Sequence, residues 1–200
     1  MEIRPLDLIN ELIPQETPLN ALLVTHSRAV AGRALAVARG LFGRTPGLSL
    51  DMRFIEEAAL LHDIGVYLTD APAIGCRGTS PYVCHGYLGR QLLEGRGLFR
   101  HALVCERHVG VGLSAEEIRI RRLPLPERDM LPQSLEEEII CYADKFFSKQ
   151  KQPDGRALSV EAVLENLKRY GDEKVRRFLQ WAARFEKISA EAAAAAGGAL

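Results

Sequence analysis

His62 and Asp63 stand side by side at the end of an apolar run, Phe54-Ile55-Glu56-Glu57-Ala58-Ala59-Leu60-Leu61, and Ile64-Gly65 follows. A carboxylate buried there without a partner costs several kcal/mol (about 3–5 for an unpaired buried charge). A divalent cation satisfies an imidazole and a carboxylate together. Further residues of ligand type lie along the chain: His26 upstream, and His85, His108 and Asp144 downstream. His26 shares a helical face with Leu22, Leu23 and Val30, and Asp144 lies between Ile140 and Phe147 at i−4 and i+3. His62 follows Ala58 by four residues and His108 follows Val104 by four; His85 has Gly86 and Gly89 beside it. Taken singly, each is as well explained by a hydrogen-bonded core residue or an ion pair. Jointly, imidazoles and carboxylates on apolar helical faces predict a helical cage around one or two metal ions. The fifth histidine, His101, lies two turns before His108, about 10.5 Å along the axis, too far to share an ion, and reads as a packing residue.

The elements that must carry these residues are almost all helical. The spacing predicts a short helix over 5–13, and a long one that starts at Thr17-Pro18 and ends near Gly40 and Gly43. A third is capped by Asp51 and carries His62-Asp63 near its end. Residues 68–80, with Pro72, Gly75 and Gly78, read as the longest loop, bordering the ligand residues on both sides. Ser80-Pro81 opens a helix with His85, and 98–109 forms one with His101 and His108. Capping-box patterns at Ser114–Glu117 and Ser134–Glu137 open two more, the second holding Asp144. A final helical stretch runs from Val160 to about Lys187 with a kink at Gly171, and no clear strand is expected. The expected organisation is one all-α domain over 1–188, its ligand core at about 20–150, with an alanine-rich tail at 189–200.

The order His…His-Asp…His…His…Asp, together with His26-Ser27-Arg28-Ala29-Val30, Leu60-Leu61-His62-Asp63-Ile64-Gly65 and Cys141-Tyr142-Ala143-Asp144-Lys145, resembles the HD superfamily of metal-dependent phosphohydrolases. More narrowly it looks like the compact bacterial and archaeal proteins with an HDIG signature. The resemblance covers about residues 20–150 and implies an HD-domain helical bundle with a central metal site. It implies one ion held by His26, His62, Asp63 and Asp144, and a second held by His85 and His108 with Asp63 bridging. Val66 stands where some branches have Lys, and no Gly-Tyr-Pro motif is present, which argues against a cyclic-di-GMP phosphodiesterase of that type.

An oxygen- and nitrogen-rich ligand set without suitably spaced thiolates favours Mn, Fe, Co, Ni or Zn, with Mg also admitted. Such a site would hydrolyse a phosphomonoester or phosphodiester, with a nucleotide as the expected small phosphorylated substrate, and Asp63 and Lys145 as the expected catalytic residues. Arg77 and Arg107 are further phosphate-contact candidates, and residues 68–80 and 110–133 are the expected specificity segments. The alternatives are a non-catalytic metal- or nucleotide-binding module, and an iron oxygenase on the same cage. Lys+Arg and Asp+Glu are both 26, so the net charge is zero and no footprint for duplex nucleic acid or anionic membrane is expected. The first residues lack signal-peptide order and no run approaches about 18 apolar residues. Cys76, Cys84, Cys105 and Cys141 show no Cys-x-x-Cys spacing, which suits free thiols in a cytoplasmic protein; a homo-oligomer is compatible with all of this.

Overall fold

The computed structural model describes residues 3–149 and 156–186. The expected alanine-rich tail and Lys187 lie outside the described residues. The helices are α1 (Pro5–Leu12), α2 (Pro18–Phe42), α3 (Met52–Leu61), α4 (His85–Glu94), α5 (Phe99–Arg107), α6 (Ala115–Ile120), α7 (Leu135–Asp144), α8 (Val160–Lys168) and α9 (Asp172–Glu186). The all-α expectation holds at the level of architecture. Long α2 lies along α3 and α7, and α4 lies along α5.

Local signals explain most boundaries. Thr17 caps α2, its side chain accepting from Asn20 N, and Pro18 at the first position needs no amide partner. Ser114 and Ser134 accept from the amides of Glu117 and Glu137, so each capping-box serine acts as expected. The two glutamates are turned to other work. Glu137 takes a two-toothed ion pair from Arg107 at 2.9 and 3.0 Å, and Glu117 pairs with Lys174.

Two expectations are corrected. Residues 68–80 are not a plain loop: β1 (Asp70–Ala71) and β2 (Cys76–Arg77) pair antiparallel, Asp70 opposite Arg77 and Ala71 opposite Cys76. Gly75, at φ +85, supplies the left-handed turn between them, a two-residue pairing too short to leave a period-2 pattern. The stretch from Val160 is not one kinked helix. Gly171 sits at φ +110, outside any helix, and divides α8 from α9.

The main core joins α2, α3, α7, α8 and α9 through Ile55, Ala58, Tyr142, Phe146, Phe178 and their neighbours. A second cluster, including Ile9, Leu23, Leu61, Leu93 and Cys105, lies between α1, the end of α3, and α4 with α5. Segment 108–134 closes over the end of α4. Leu113 and Met130 exchange backbone hydrogen bonds, and buried Glu106 receives Arg90 and Arg128 at 2.5 Å each. Lys174 of α9 reaches back to donate to the Gly112 carbonyl at 2.6 Å.

Asp51 illustrates what a cap contributes. Its carboxylate accepts from Phe54 N at 3.0 Å and pairs with Arg100 at 2.9 Å. The amide bond first, then the guanidinium, lower its pKa. Asp51→Ala should cost about 1 kcal/mol in denaturant unfolding at pH 7. A lowered folded-state pKa means the contribution is full above the unfolded value of about 3.9 and fades as pH falls through the folded one. The difference from wild type should therefore shrink toward pH 3; a constant difference would refute the charged-cap account.

Candidate metal centre

Four of the six expected ligand residues lie at helix ends. His62 is the C-cap of α3 and His108 the C-cap of α5; His85 is the first residue of α4 and Asp144 the last of α7. Asp63 follows in the turn after α3, and only His26 is mid-helix, in α2. Helix C-termini have carbonyls without intrahelical partners, and the imidazoles use them. His62 Nδ1 lies 2.7 Å from Ala59 O, and His108 Nδ1 lies 2.7 Å from Cys105 O. His85 Nδ1 makes the same i−3 contact, 2.6 Å to Tyr82 O, in the 3-10 turn Tyr82–Cys84. A carbonyl only accepts, so each Nδ1 carries the proton. Each Nε2 is thereby aimed inward, the arrangement by which outer partners orient metal-binding imidazoles.

The inward atoms converge in two groups. One is His26, His62, Asp63 and Asp144; the other is Asp63, His85 and His108; within each group the donor atoms lie within 4.8 Å of one another. Asp63 belongs to both and divides its oxygens between them. Oδ2 is 3.1 Å from His26 Nε2 and 2.9 Å from His62 Nε2. Oδ1 is 3.4 Å from both His85 Nε2 and His108 Nε2. Asp144 Oδ1 closes the first group, 3.1 Å from His26 and 3.4 Å from His62.

These spacings test whether the groups fit a metal. Ligand atoms bonded at about 2.1 Å lie about 3.0 Å apart at cis octahedral positions and about 3.4 Å apart in a tetrahedron. The observed 2.9–3.4 Å between imidazole and carboxylate atoms spans both values. Nε2 faces Nε2 at 3.2 Å between His26 and His62 and at 3.1 Å between His85 and His108. At His85 and His108, whose Nδ1 atoms carry the proton, two neutral rings bring their lone pairs together, a repulsion that a cation between them relieves. Asp63 is wholly buried, yet neither of its oxygens receives a well-directed hydrogen bond. The two groups are compatible with divalent metal ions.

The electrostatics agree. Burial alone would raise the carboxyl pKa of Asp63 and Asp144, but His62 with Lys149, and Lys145 with His26, outweigh it and hold both well below the usual range. Burial opposes charge on His62, but Asp63 and Asp144 prevail and raise it to about 9. Burial prevails at His85, which falls to about 3, and at His108, which is also lowered. Two carboxylates held ionised beside the neutral imidazoles of His85 and His108 present acceptor atoms that a cation can use.

The other expected site residues separate. Lys145 Nζ is held 2.7 Å from Asp144 Oδ2 and 3.3 Å from His108 O, so it ties two ligand residues together. Arg107 points away to Glu137. Arg77 lines a shallow depression beside α1 with Thr17 and Tyr67, apart from the ligand cluster, so the strand pair turns it from the role proposed for it. His101 is buried, 3.3 Å from Glu57 and edge-on to Phe54, in keeping with packing. Lys149 is the residue that sequence reasoning missed. Its Nζ lies 2.5 Å from Asp63 Oδ2. The only signal was a second lysine four residues after Lys145, on a stretch that reads as solvent-facing.

A cavity of about 580 Å³ opens on His85, His108 and Asp144, and its wall includes Lys145, Lys149 and Tyr82. The loop 68–80 contributes only Ile74, whereas 110–133 contributes Gly110, Leu113, Glu117, Arg121 and Leu123. Among the described residues no helix is long and apolar enough to cross a membrane.

Comparison with known proteins agrees with this geometry. An uncharacterized protein of Methanocaldococcus jannaschii is 32% identical over 131 residues, 65% of this chain and 69% of that protein. Two tRNA (cytidine(56)-2'-O)-methyltransferases also match: that of Thermoplasma volcanium at 28% over 76% of this chain, and that of Picrophilus torridus at 31% over 50%. The matched parts span only 38% and 26% of those two enzymes. No solved structure matches. The model of the HD domain matches residues 23–148, a stretch that begins just before His26, ends just after Asp144 and holds all six clustered side chains; the chain belongs to the HD-domain family.

Proposed function

We propose that the chain is a metal-dependent phosphohydrolase acting on a phosphomonoester or phosphodiester, with a nucleotide as the substrate. One observation carries the reading: two ligand groups share Asp63 and open onto a cavity walled by lysines. When bound, a pair of divalent ions makes water acidic enough to supply hydroxide near neutral pH and offsets the charge of phosphoryl oxygens. The chain's own residues do the rest. His26, His62 and Asp144 would hold one ion and His85 and His108 the other, with Asp63 turning one oxygen toward each group. Lys145 neutralises Asp144 and anchors the His108 carbonyl, which keeps the two halves of the cage in register. Its catalytic part is that of a positioning residue.

The cavity suits a nucleotide in size and lining. Its volume of about 580 Å³ falls within the range of small-molecule sites, roughly 300–1,000 Å³. Leu113, Leu123, Val163 and Leu167 offer an apolar surface for a base, and Glu117 and Asn166 offer polar edges. The methyltransferase relatives match along a minority of their length, so their name supplies no reaction for this chain.

Metal analysis of the purified protein, followed by phosphate release from a nucleotide panel with Mn, Co, Ni and Mg, tests the reading. One to two ions per chain and hydrolysis that a chelator abolishes are expected. Ions without release from any phosphate ester, or oxygen consumption by the iron-loaded protein, would overturn it in favour of a binding module or an oxygenase.

A further inference from the structure

Lys149 stands five residues beyond Asp144, past the end of α7, with its side chain in the cavity wall and only 11% exposed. Among the described residues its Nζ has two neighbours of different kind. One is Asp63 Oδ2 at 2.5 Å; the other is the Tyr82 hydroxyl at 3.5 Å, on the cavity side. Tyr82 is itself fixed beside the second ligand group. Its ring lies 4.8 Å from that of His85, and its carbonyl accepts a hydrogen bond from His85 Nδ1–H.

Asp63 Oδ2 is also the oxygen turned to His26 and His62. A divalent ion taken up there repels an ammonium a few ångströms away, and at that range the repulsion amounts to several kcal/mol at an effective dielectric near 20 (about 4 for unit charges at 4 Å). Lysine is a compact charge on a flexible four-carbon stem, so it can turn without moving the backbone. Away from Asp63 it meets Tyr82 and the cavity, where a substrate's phosphoryl oxygens would bring negative charge. Lys145 has no such freedom, being held by both Asp144 and the His108 carbonyl.

We propose that Lys149, with the Tyr82 hydroxyl beside it, is the phosphoryl contact of this site: its ammonium, set between Asp63 and the cavity, meets a non-bridging phosphoryl oxygen of the substrate. The assignment rests on the phosphohydrolase reading. It adds to that reading a catalytic residue that touches substrate.

The test is binding of inorganic phosphate by calorimetry to the full chain loaded with manganese, alongside ion content and steady-state kinetics. Lys149→Met should keep the wild-type ion content. It should weaken phosphate binding by about tenfold or more, as expected for loss of a hydrogen bond to a charged group. KM for a phosphate ester should rise, Lys149→Arg should recover most of the loss, and Tyr82→Phe should show a smaller one. If Lys149→Met fails to fold, Lys149→Gln carries the same measurements. Unchanged phosphate affinity with tighter ion binding overturns the contact and leaves Lys149 as a counter-charge for Asp63. Loss of ions with loss of phosphate binding also overturns it, since the lysine then only supports the cage. Wild-type protein that holds ions but neither binds phosphate nor hydrolyses esters overturns the contact and the phosphohydrolase reading together.

Discussion

Asp63→Ala should empty both ligand groups of metal and reduce metal-dependent hydrolysis by more than about 100-fold, the upper end of what losing even an outer partner costs. Asp63 is the one residue common to the two groups, with Oδ2 toward His26 and His62 and Oδ1 toward His85 and His108. Its removal leaves the second group with two imidazoles, too few for tight binding. Asp144→Ala is the informative contrast. It takes a ligand from the first group alone, so the His85 and His108 ion should survive it better. Asp63→Asn, which keeps the shape, separates loss of ligation from loss of fold. Wild-type ion content and turnover in a folded Asp63→Asn protein would sink the shared-ligand account.

The six clustered residues were readable because their chemistry is costly where they sit. A histidine or aspartate on an apolar helical face must be paired, and six of them demand a common partner. Their convergence at helix ends was not readable, because periodicity gives a face but not the angle at which one helix meets the next. Lys149 was missed for the opposite reason: a lysine past a helix end is ordinary in sequence, and only the fold turns this one inward. Arg77 was misplaced because the two-residue pairing of β1 with β2 leaves no pattern in the sequence, and Arg77 lies beside α1 rather than at the ligand cluster. The two expected specificity segments do not share the cavity equally. Residues 110–133 line the cavity more fully than 68–80, since Arg90–Glu106–Arg128 and Lys174 draw that segment over the site. Ion pairs distant in sequence leave no local pattern.

Gly65→Ala should loosen the second ligand group and spare the first. The Gly65 φ of −81° is open to any residue, so what requires glycine there is the closeness of neighbouring backbone. A Cβ at Gly65 would lie 2.3 Å from both the His85 carbonyl oxygen and the Gly89 amide nitrogen, backbone atoms that no side-chain rotation can clear. Gly86 and Gly89 extend the same close contact from α4 to Cys105 of α5. An added methyl must therefore push α4 away, by about 1 Å to regain ordinary van der Waals distance, and His85 is its first residue. Overpacking of this kind costs roughly 1–3 kcal/mol, which lowers Tm by roughly 2–12 °C in a domain of this size. Ion content should fall toward one per chain, since His85 retreats from Asp63 while His26, His62 and Asp144 stay in place. Gly32→Ala is the matched control: exposed in α2, with nothing within 4 Å of its added Cβ, it should be neutral or raise stability by about 0.5–1 kcal/mol. Equal behaviour of the two variants would mean that the glycine of the His-Asp-Ile-Gly turn is not what seats α4 against the metal centre.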